Sequence, residues 1–188
     1  MSGKLFLIVG PSGVGKGTLV RQLREGNPDF FFPPSATTRA KREDEEEGRQ
    51  YNFISDKEFT KLEEAGDFLE TAIVHGIEKY GTLKKPILEA IEDGKVVIRE
   101  VDIQGLISVR ENMEKEKFEA IFISPPDFET LKKRILKRQP NISEEELARR
   151  LQSAEEEMSQ KNLADHEVVS SEGEIGEMVE EVEGIIKL

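Results

Sequence analysis

The residues with the clearest chemistry lie near the start of the chain: Gly10-Pro11-Ser12-Gly13-Val14-Gly15-Lys16-Gly17-Thr18. Glycines at this spacing let successive backbone N–H groups turn toward one point. A helix opening there adds positive potential, and Lys16 adds a mobile cation. The combination suits the β- and γ-phosphates of a nucleoside triphosphate, with Ser12, Gly13, Val14, Gly15, Lys16, Gly17 and Thr18 as the contacts. Such a loop needs a strand before it and a helix after it. Leu5 to Val9 is an apolar run cut off by Gly10-Pro11, which predicts a buried strand, and Lys16 to Glu25 predicts the helix. Gly17 stands where these loops carry a Ser or Thr that touches Mg²⁺, and Thr18 comes one residue late. Mg²⁺ is therefore expected to be held through water.

Other groups concentrate charge. Arg39 and Arg42 lie three apart beside a threonine-rich turn, and guanidinium forks match phosphate oxygens. Glu100 and Asp102 lie two apart at the end of a predicted strand, so their side chains leave the same face. That is where open α/β sheets bind ligands, and Asp102 fits an acid that holds the waters of Mg²⁺. Thr130 to Arg150 carries seven bases against three acids, with Arg134 and Arg138 an i, i+4 pair on one helix face. The two histidines, His75 and His166, form neither a metal cluster nor a catalytic pair.

The elements that must position these groups alternate. Val96 to Val101, Phe118 to Ile123 and Val168 to Ser170 predict further strands; Pro86 to Asp93, Asp127 to Gln139, Ser143 to Gln160 and Glu174 to Ile186 predict helices. Ser143 with Glu146 forms one capping box, and Ser55 with Glu58 another. Strand–helix alternation implies an α/β fold with a mostly parallel central sheet flanked by helices. From about residue 36 to 82 the rhythm breaks into short strand-like pieces around one helix, which predicts a small lobe inserted into a single domain spanning 1–188.

Composition sets limits on partners. Of 188 residues, 36% are hydrophobic and 35% charged, and the formal net charge is −12, which argues against nucleic acid and anionic membranes as partners. There is no cysteine, which excludes disulfides and thiol chemistry and is compatible with a reducing compartment. No targeting segment or membrane span is evident, so a cytoplasmic location is expected. The acids crowd the C-terminus, where Glu172 to Leu188 holds six acids and one base. Oligomeric state is not legible.

Downstream of the glycine-rich loop, the motifs resemble guanylate kinases in order and mostly in spacing. Thr37-Thr38-Arg39-Ala40-Lys41-Arg42, then Glu45, Gly48 and Tyr51-Asn52-Phe53, is similar to that family's TTR-x-x-R…E…G…Y-x-F stretch. Glu70 and Tyr80-Gly81-Thr82 resemble its guanine-contact segment, and Glu100 to Gly105 its D/E-h-D-x-Q-G element. Ile123-Ser124-Pro125-Pro126, then Leu131, Arg134 and Arg138, resemble its strand-to-lid segment, and Arg150, Ala154 and Glu157 are similar to the helix after the lid. The resemblance implies a P-loop kinase fold, a GMP-binding lobe, a mobile lid at about 134–150, and transfer of the γ-phosphoryl group of ATP to GMP, and to dGMP, with Mg²⁺. It implies that Ser35, Arg39, Arg42, Tyr51, Glu70, Tyr80, Thr82, Glu100 and Asp102 serve GMP. It implies that Lys16, Arg39, Arg134, Arg138 and Arg150 serve catalysis, and that Thr18 and Asp102 face the metal.

The chemistry agrees. Guanine offers N1–H and a 2-amino group as donors, which one carboxylate accepts together, whereas adenine has a lone pair at N1. Glu70 fits that role, and the hydroxyls of Ser35 and Thr82 are matched to O6.

The sequence also departs from the family. One extra residue lies between Gly76 and Tyr80, Asp44 replaces a usual glycine, Arg99 a usual apolar residue, and Ser170 a frequent asparagine near the adenine site. Two other classes share parts of the pattern: a non-catalytic scaffold of the same fold, and a kinase acting on another nucleotide or a ribose phosphate. A scaffold would not be expected to keep Lys16 and the lid arginines, nor the second class the TTR-x-x-R stretch with Tyr51, Glu70 and Thr82.

Overall fold

The computed structural model describes residues 3–42, 45–74, 78–171 and 175–187. His75, Gly76 and Asp44, singled out above, lie outside them. The chain divides into two compact units. One comprises Met1–Leu5, Asp29–Val97 and Gln104–Phe118, the other Phe6–Pro28, Ile98–Ile103 and Glu119–Leu188.

The second unit is organised by a parallel four-stranded sheet, in the order β6-β1-β7-β8, within an α/β fold that has seven helices among the described residues. The strands are β1 (Lys4–Val9), β6 (Val96–Glu100), β7 (Phe118–Ser124) and β8 (His166–Val169). The apolar runs of β1 and β7 are buried almost without a break, as strands covered on both faces must be. The connections leave β1 toward β6 on one side and β7 on the other. That reversal is the switch point at whose carboxyl end such sheets bind ligands, and β1 ends there at Gly10. Helix α1 (Lys16–Gly26) buries Leu19 and Leu23; α7 (Ile175–Ile186), which packs on it, buries Met178, Val182 and Ile186, which recur every four residues on one apolar stripe. Asn27 fastens the end of α1, its amide donating to Leu23 O at 3.0 Å and Glu183 Oε1 at 2.7 Å. Helices α5 (Phe128–Arg138) and α6 (Glu144–Ser159) are N-capped by Asp127 and Ser143.

The first unit contains the lobe. Its sheet runs β3-β2-β5-β4, with β2 (Ser35–Thr37), β3 (Tyr51–Phe53), β4 (Phe68–Val74) and β5 (Glu78–Leu83). The pairings Ser35 with Tyr51, Thr37 with Tyr80 and Glu70 with Thr82 place all six side chains on one face. Ala36 and Gly81 point the other way. There Ala36, Phe59 of α2 (Asp56–Glu64) and Phe68 form a small core, the two rings stacked with centroids 4.6 Å apart. Ser55 caps α2 by accepting from Glu58 N, as its capping box predicts.

Three differences from the sequence expectation have local causes. Helix α3 (Lys84–Glu92) begins before Pro86, because a proline in the first turn forfeits no intrahelical bond. Helix α4 (Ile103–Asn112) was not expected, because Gly105 in its first turn lowers helix propensity. Strand β2 is only three residues long and follows Pro33-Pro34, which reads as a break. No helix among the described residues is long and apolar enough to cross a membrane.

Gly81 is the tightest point of the lobe, since a Cβ there would come within 2.7 Å of the Phe68 ring. Gly81→Ala is expected to lower stability by about 1–3 kcal/mol by overpacking. Thermal or urea unfolding of the two proteins checks this, and an unchanged midpoint would show that Phe68 yields freely.

Candidate active site

In the second unit the loop from Gly10 to Gly15 joins β1 to α1. Gly10, Gly13 and Gly15 have φ of 138°, 97° and 107°, left-handed conformations that side chains with a Cβ resist. Lys16 folds back over the loop, its ammonium donating to Gly10 O and, at 3.1 Å, to Pro11 O. Glu100 Oε1 lies 3.9 Å from the same ammonium. Ser12, Gly17 and Thr18 are exposed at the surface of this turn.

Arg134, on α5, reaches the same loop. Its Nη1 donates to Ser170 Oγ at 2.7 Å and Val14 O at 3.4 Å; its Nη2 donates to Ser170 O at 2.9 Å and Ser171 O at 3.2 Å. The buried Ser170 hydroxyl in turn donates to Val14 O at 2.7 Å. A guanidinium and a serine thus tie the phosphate loop to the segment after β8. They border a cavity of about 330 Å³ lined also by Gly13, Gly15, Thr18, Lys133, Lys137, Ile175 and Met178. Arg138 is exposed and has no bonding partner among the described residues. Arg150 is half-buried and donates through Nε to Glu146 Oε1 at 3.0 Å.

In the first unit the polar face of the lobe sheet collects a different set. Thr82, fully buried, donates its hydroxyl to Glu70 Oε1, so the pair is locked across β5 and β4. Ser35 is buried beside them in sheet order. The Tyr51 and Tyr80 rings meet edge to face with centroids 5.9 Å apart. Arg39 lies over the Tyr51 ring, 5.2 Å from its centroid, and donates through Nε to the Tyr80 hydroxyl at 3.1 Å. Arg42 is exposed next to it. A carboxylate, two buried hydroxyls and two phenols on one sheet face, with an arginine fork against the phenols, can read a purine edge and its phosphate together.

Comparison with known proteins decides the family. The chain matches the guanylate kinase family over residues 2–188. It is 43% identical to a guanylate kinase of Trichormus variabilis over 173 residues, covering 92% of this chain and 85% of that protein. With a guanylate kinase of Bifidobacterium longum it shares 40% over 171 residues, covering 90% and 87%. The crystal structure of guanylate kinase from Anaplasma phagocytophilum matches with a TM-score of 0.74 at 29% identity, covering 99% of this chain and 85% of that one. The chain belongs to the guanylate kinase family.

For a guanylate kinase, the acids around the phosphate-loop lysine need an account. Glu100, assigned to GMP by resemblance, lies beside Lys16 and Gly17, and Asp102 is close enough to act on Lys16 electrostatically. Burial pushes the Lys16 ammonium below its ordinary value, opposed by Glu100, Glu157 and Asp102. Glu157, on α6, was not among the predicted site residues. Burial raises its carboxyl to about 6, with Asp102 adding to the shift and Lys16 and a bond from Ser153 opposing it. Its sequence signal is faint: Glu157 follows Arg150 by two helical turns and so shares its face.

Glu157 should leave a pH signature. Its folded value lies above its unfolded one, so the native state binds the extra proton between about pH 4.5 and 6. The cost of burying the charge is absent below that window and full above it. Glu157→Gln should therefore match the parent in stability near pH 4 and exceed it above pH 6. Denaturant unfolding across pH checks this, and a difference independent of pH would contradict the assignment.

Proposed function

We propose that in this guanylate kinase the lobe face holds GMP, or dGMP, while the loop of Ser12, Gly13, Val14, Gly15, Lys16, Gly17 and Thr18 holds the β- and γ-phosphates of ATP, and that the γ-phosphoryl group passes between them to give ADP and GDP. The observation that carries the acceptor assignment is the single sheet face bearing Ser35, Glu70, Thr82, Tyr51 and Tyr80, with Arg39 held against the two tyrosines. Glu70 accepts from guanine N1–H and the 2-amino group, and the buried hydroxyls of Ser35 and Thr82 face O6. AMP sets a lone pair at N1 against the Glu70 carboxylate and offers it no N1–H donor, which costs far more than a poor fit. Arg39 and Arg42, with the two phenols, hold the acceptor phosphate. Glu100, which the resemblance assigns to the guanine or ribose, stands 3.9 Å from the Lys16 ammonium.

No general base is required, because the acceptor phosphate is largely ionised above its second pKa near 6. Catalysis is alignment and charge neutralisation by Lys16, the loop amides, Arg39 and the arginines Arg134, Arg138 and Arg150 of a lid at about 134–150. Arg134 already spends its terminal N–H groups on protein oxygens, so it acts from a fixed position. The exposed Arg138 and half-buried Arg150 are the lid groups that move to the donor phosphates. Mg²⁺, when bound with ATP, neutralises charge on the β- and γ-phosphates. The Thr18 hydroxyl and Asp102 carboxylate would hold it through its waters. The donor set suits that ion: these are hard oxygen groups, and no cluster of three acids or histidines among the described residues forms a protein cage. The lobe at about 36–82 is the acceptor domain of one catalytic chain working in the cytoplasm.

Two variants test the two assignments. Lys16→Ala should reduce transfer by about 10²–10³-fold or more while GMP binding stays close to the parent's; parental turnover would sink the phosphate-loop assignment. Glu70→Gln should erode the preference for GMP over AMP by at least about 10²-fold, measured as kcat/KM against GMP, dGMP, AMP, CMP, UMP and ribose bisphosphate. An unchanged preference would remove Glu70 from the base site.

A further inference from the structure

Arg39 is gripped by three protein oxygens. Its Nη2 donates to Glu45 Oε1 at 2.6 Å, its Nη1 to Ala40 O at 2.7 Å and its Nε to the Tyr80 hydroxyl at 3.1 Å. A guanidinium has five N–H groups, and these three bonds leave one on each terminal nitrogen, the number a bidentate grip on phosphate uses. The other oxygen of Glu45, Oε2, accepts from the backbone N–H of Arg42 at 2.8 Å, while Glu45 N donates to Arg42 O at 3.3 Å. One carboxylate thus fixes the fork of the first arginine and the backbone of the second.

We infer that Glu45 is a positioning residue for the acceptor phosphate, holding Arg39 and Arg42 in register for it without touching substrate. The inference rests on the assignment of both arginines to that phosphate.

The opposite role would be a placeholder, an acid that occupies the phosphate's position in the empty site and leaves when GMP binds. The geometry favours support. Glu45 is anchored at both oxygens and through its own N–H, so leaving would break bonds with the Arg42 backbone as well as an ion pair. Its side chain is only 11% exposed and that of Arg39 only 8%, so the contact lies under the fork and away from solvent. The hydrogen bond from Arg39, followed by that from Arg42 N, holds the Glu45 carboxyl below the usual carboxylate range, so it stays an acceptor throughout the pH range of catalysis.

The test compares Glu45→Ala and Glu45→Gln with the parent, using GMP and guanosine as competing probes. Support predicts GMP affinity and KM about tenfold or more worse in Glu45→Ala, a smaller loss in Glu45→Gln, and unchanged guanosine affinity and ATP KM. In an Arg39→Met background the Glu45→Ala effect should vanish, since both act through one group. Equal or tighter GMP binding by Glu45→Ala would establish the placeholder and overturn the inference. A matching loss of guanosine affinity would reduce Glu45 to a purely structural role and overturn it too. If Arg39→Met binds GMP as the parent does, the phosphate assignment itself fails. If Arg39→Met loses GMP and neither Glu45 variant does, only the coupling fails.

Discussion

A buried ammonium that must stay charged governs the phosphate-binding unit. Lys16 is useful only as a cation, yet it sits where burial depresses its pKa. The loop carbonyls of Gly10 and Pro11 accept its hydrogens, and Glu100, Asp102 and Glu157 supply negative potential around it. Those acids come from the end of β6, the residues after it, and helix α6. Their meeting at one lysine requires the strand order that puts β6 beside β1 and ends both near the loop. The left-handed glycines serve the same end, turning the backbone tightly enough for Lys16 to reach back to its own loop.

The lobe solves a different problem with the two-residue period of a strand. Four short strands put every proposed acceptor contact of the lobe sheet on one face, and Ala36 and Gly81 against Phe68 and Phe59 on the other. Polar recognition and core packing are therefore two sides of the same few residues. A one-residue slip of β5 against β4 would exchange Thr82 for Gly81 opposite Glu70 and send the hydroxyl into the core. The small stack beneath the sheet favours this register, so the pairing of Glu70 with Thr82 depends on Gly81 and Phe68 as well.

Much of this was legible in the sequence, for physical reasons. The strand–loop–helix around Lys16 follows from an apolar run, glycine spacing and a lysine, none of which needs tertiary context. The apolar stripe of α7 and the capping serines are likewise local. What stayed hidden depends on distant residues meeting. Nothing near Glu157 in sequence announces Lys16, and its burial is a property of packed helix and sheet. Arg134 was legible as one of an i, i+4 pair of arginines on a helix, but its ties to Val14, Ser170 and Ser171 span parts of the chain no periodicity links. Glu45 was visible only as an acid at a matched position; its bonds to the Arg39 fork and the Arg42 backbone are side-chain geometry that no motif spells out.

The electrostatics explain how so acidic a chain can serve two polyanions. A net charge of −12 sets the far field, but screening confines unpaired surface charges to about 8 Å at physiological ionic strength. What a bound phosphate meets is the local arrangement. In the lobe, Glu45 is committed to Arg39 and to the Arg42 backbone, so its negative charge is largely spent on fixing positive groups. Around Lys16 the acids keep a cation alive that burial would otherwise neutralise. An acid beside a phosphate site is unfavourable only if its charge is free to oppose the ligand. Here each is coupled to a base, Glu45 to Arg39 and the acids of the other unit to Lys16, so its charge is not free to oppose an anion.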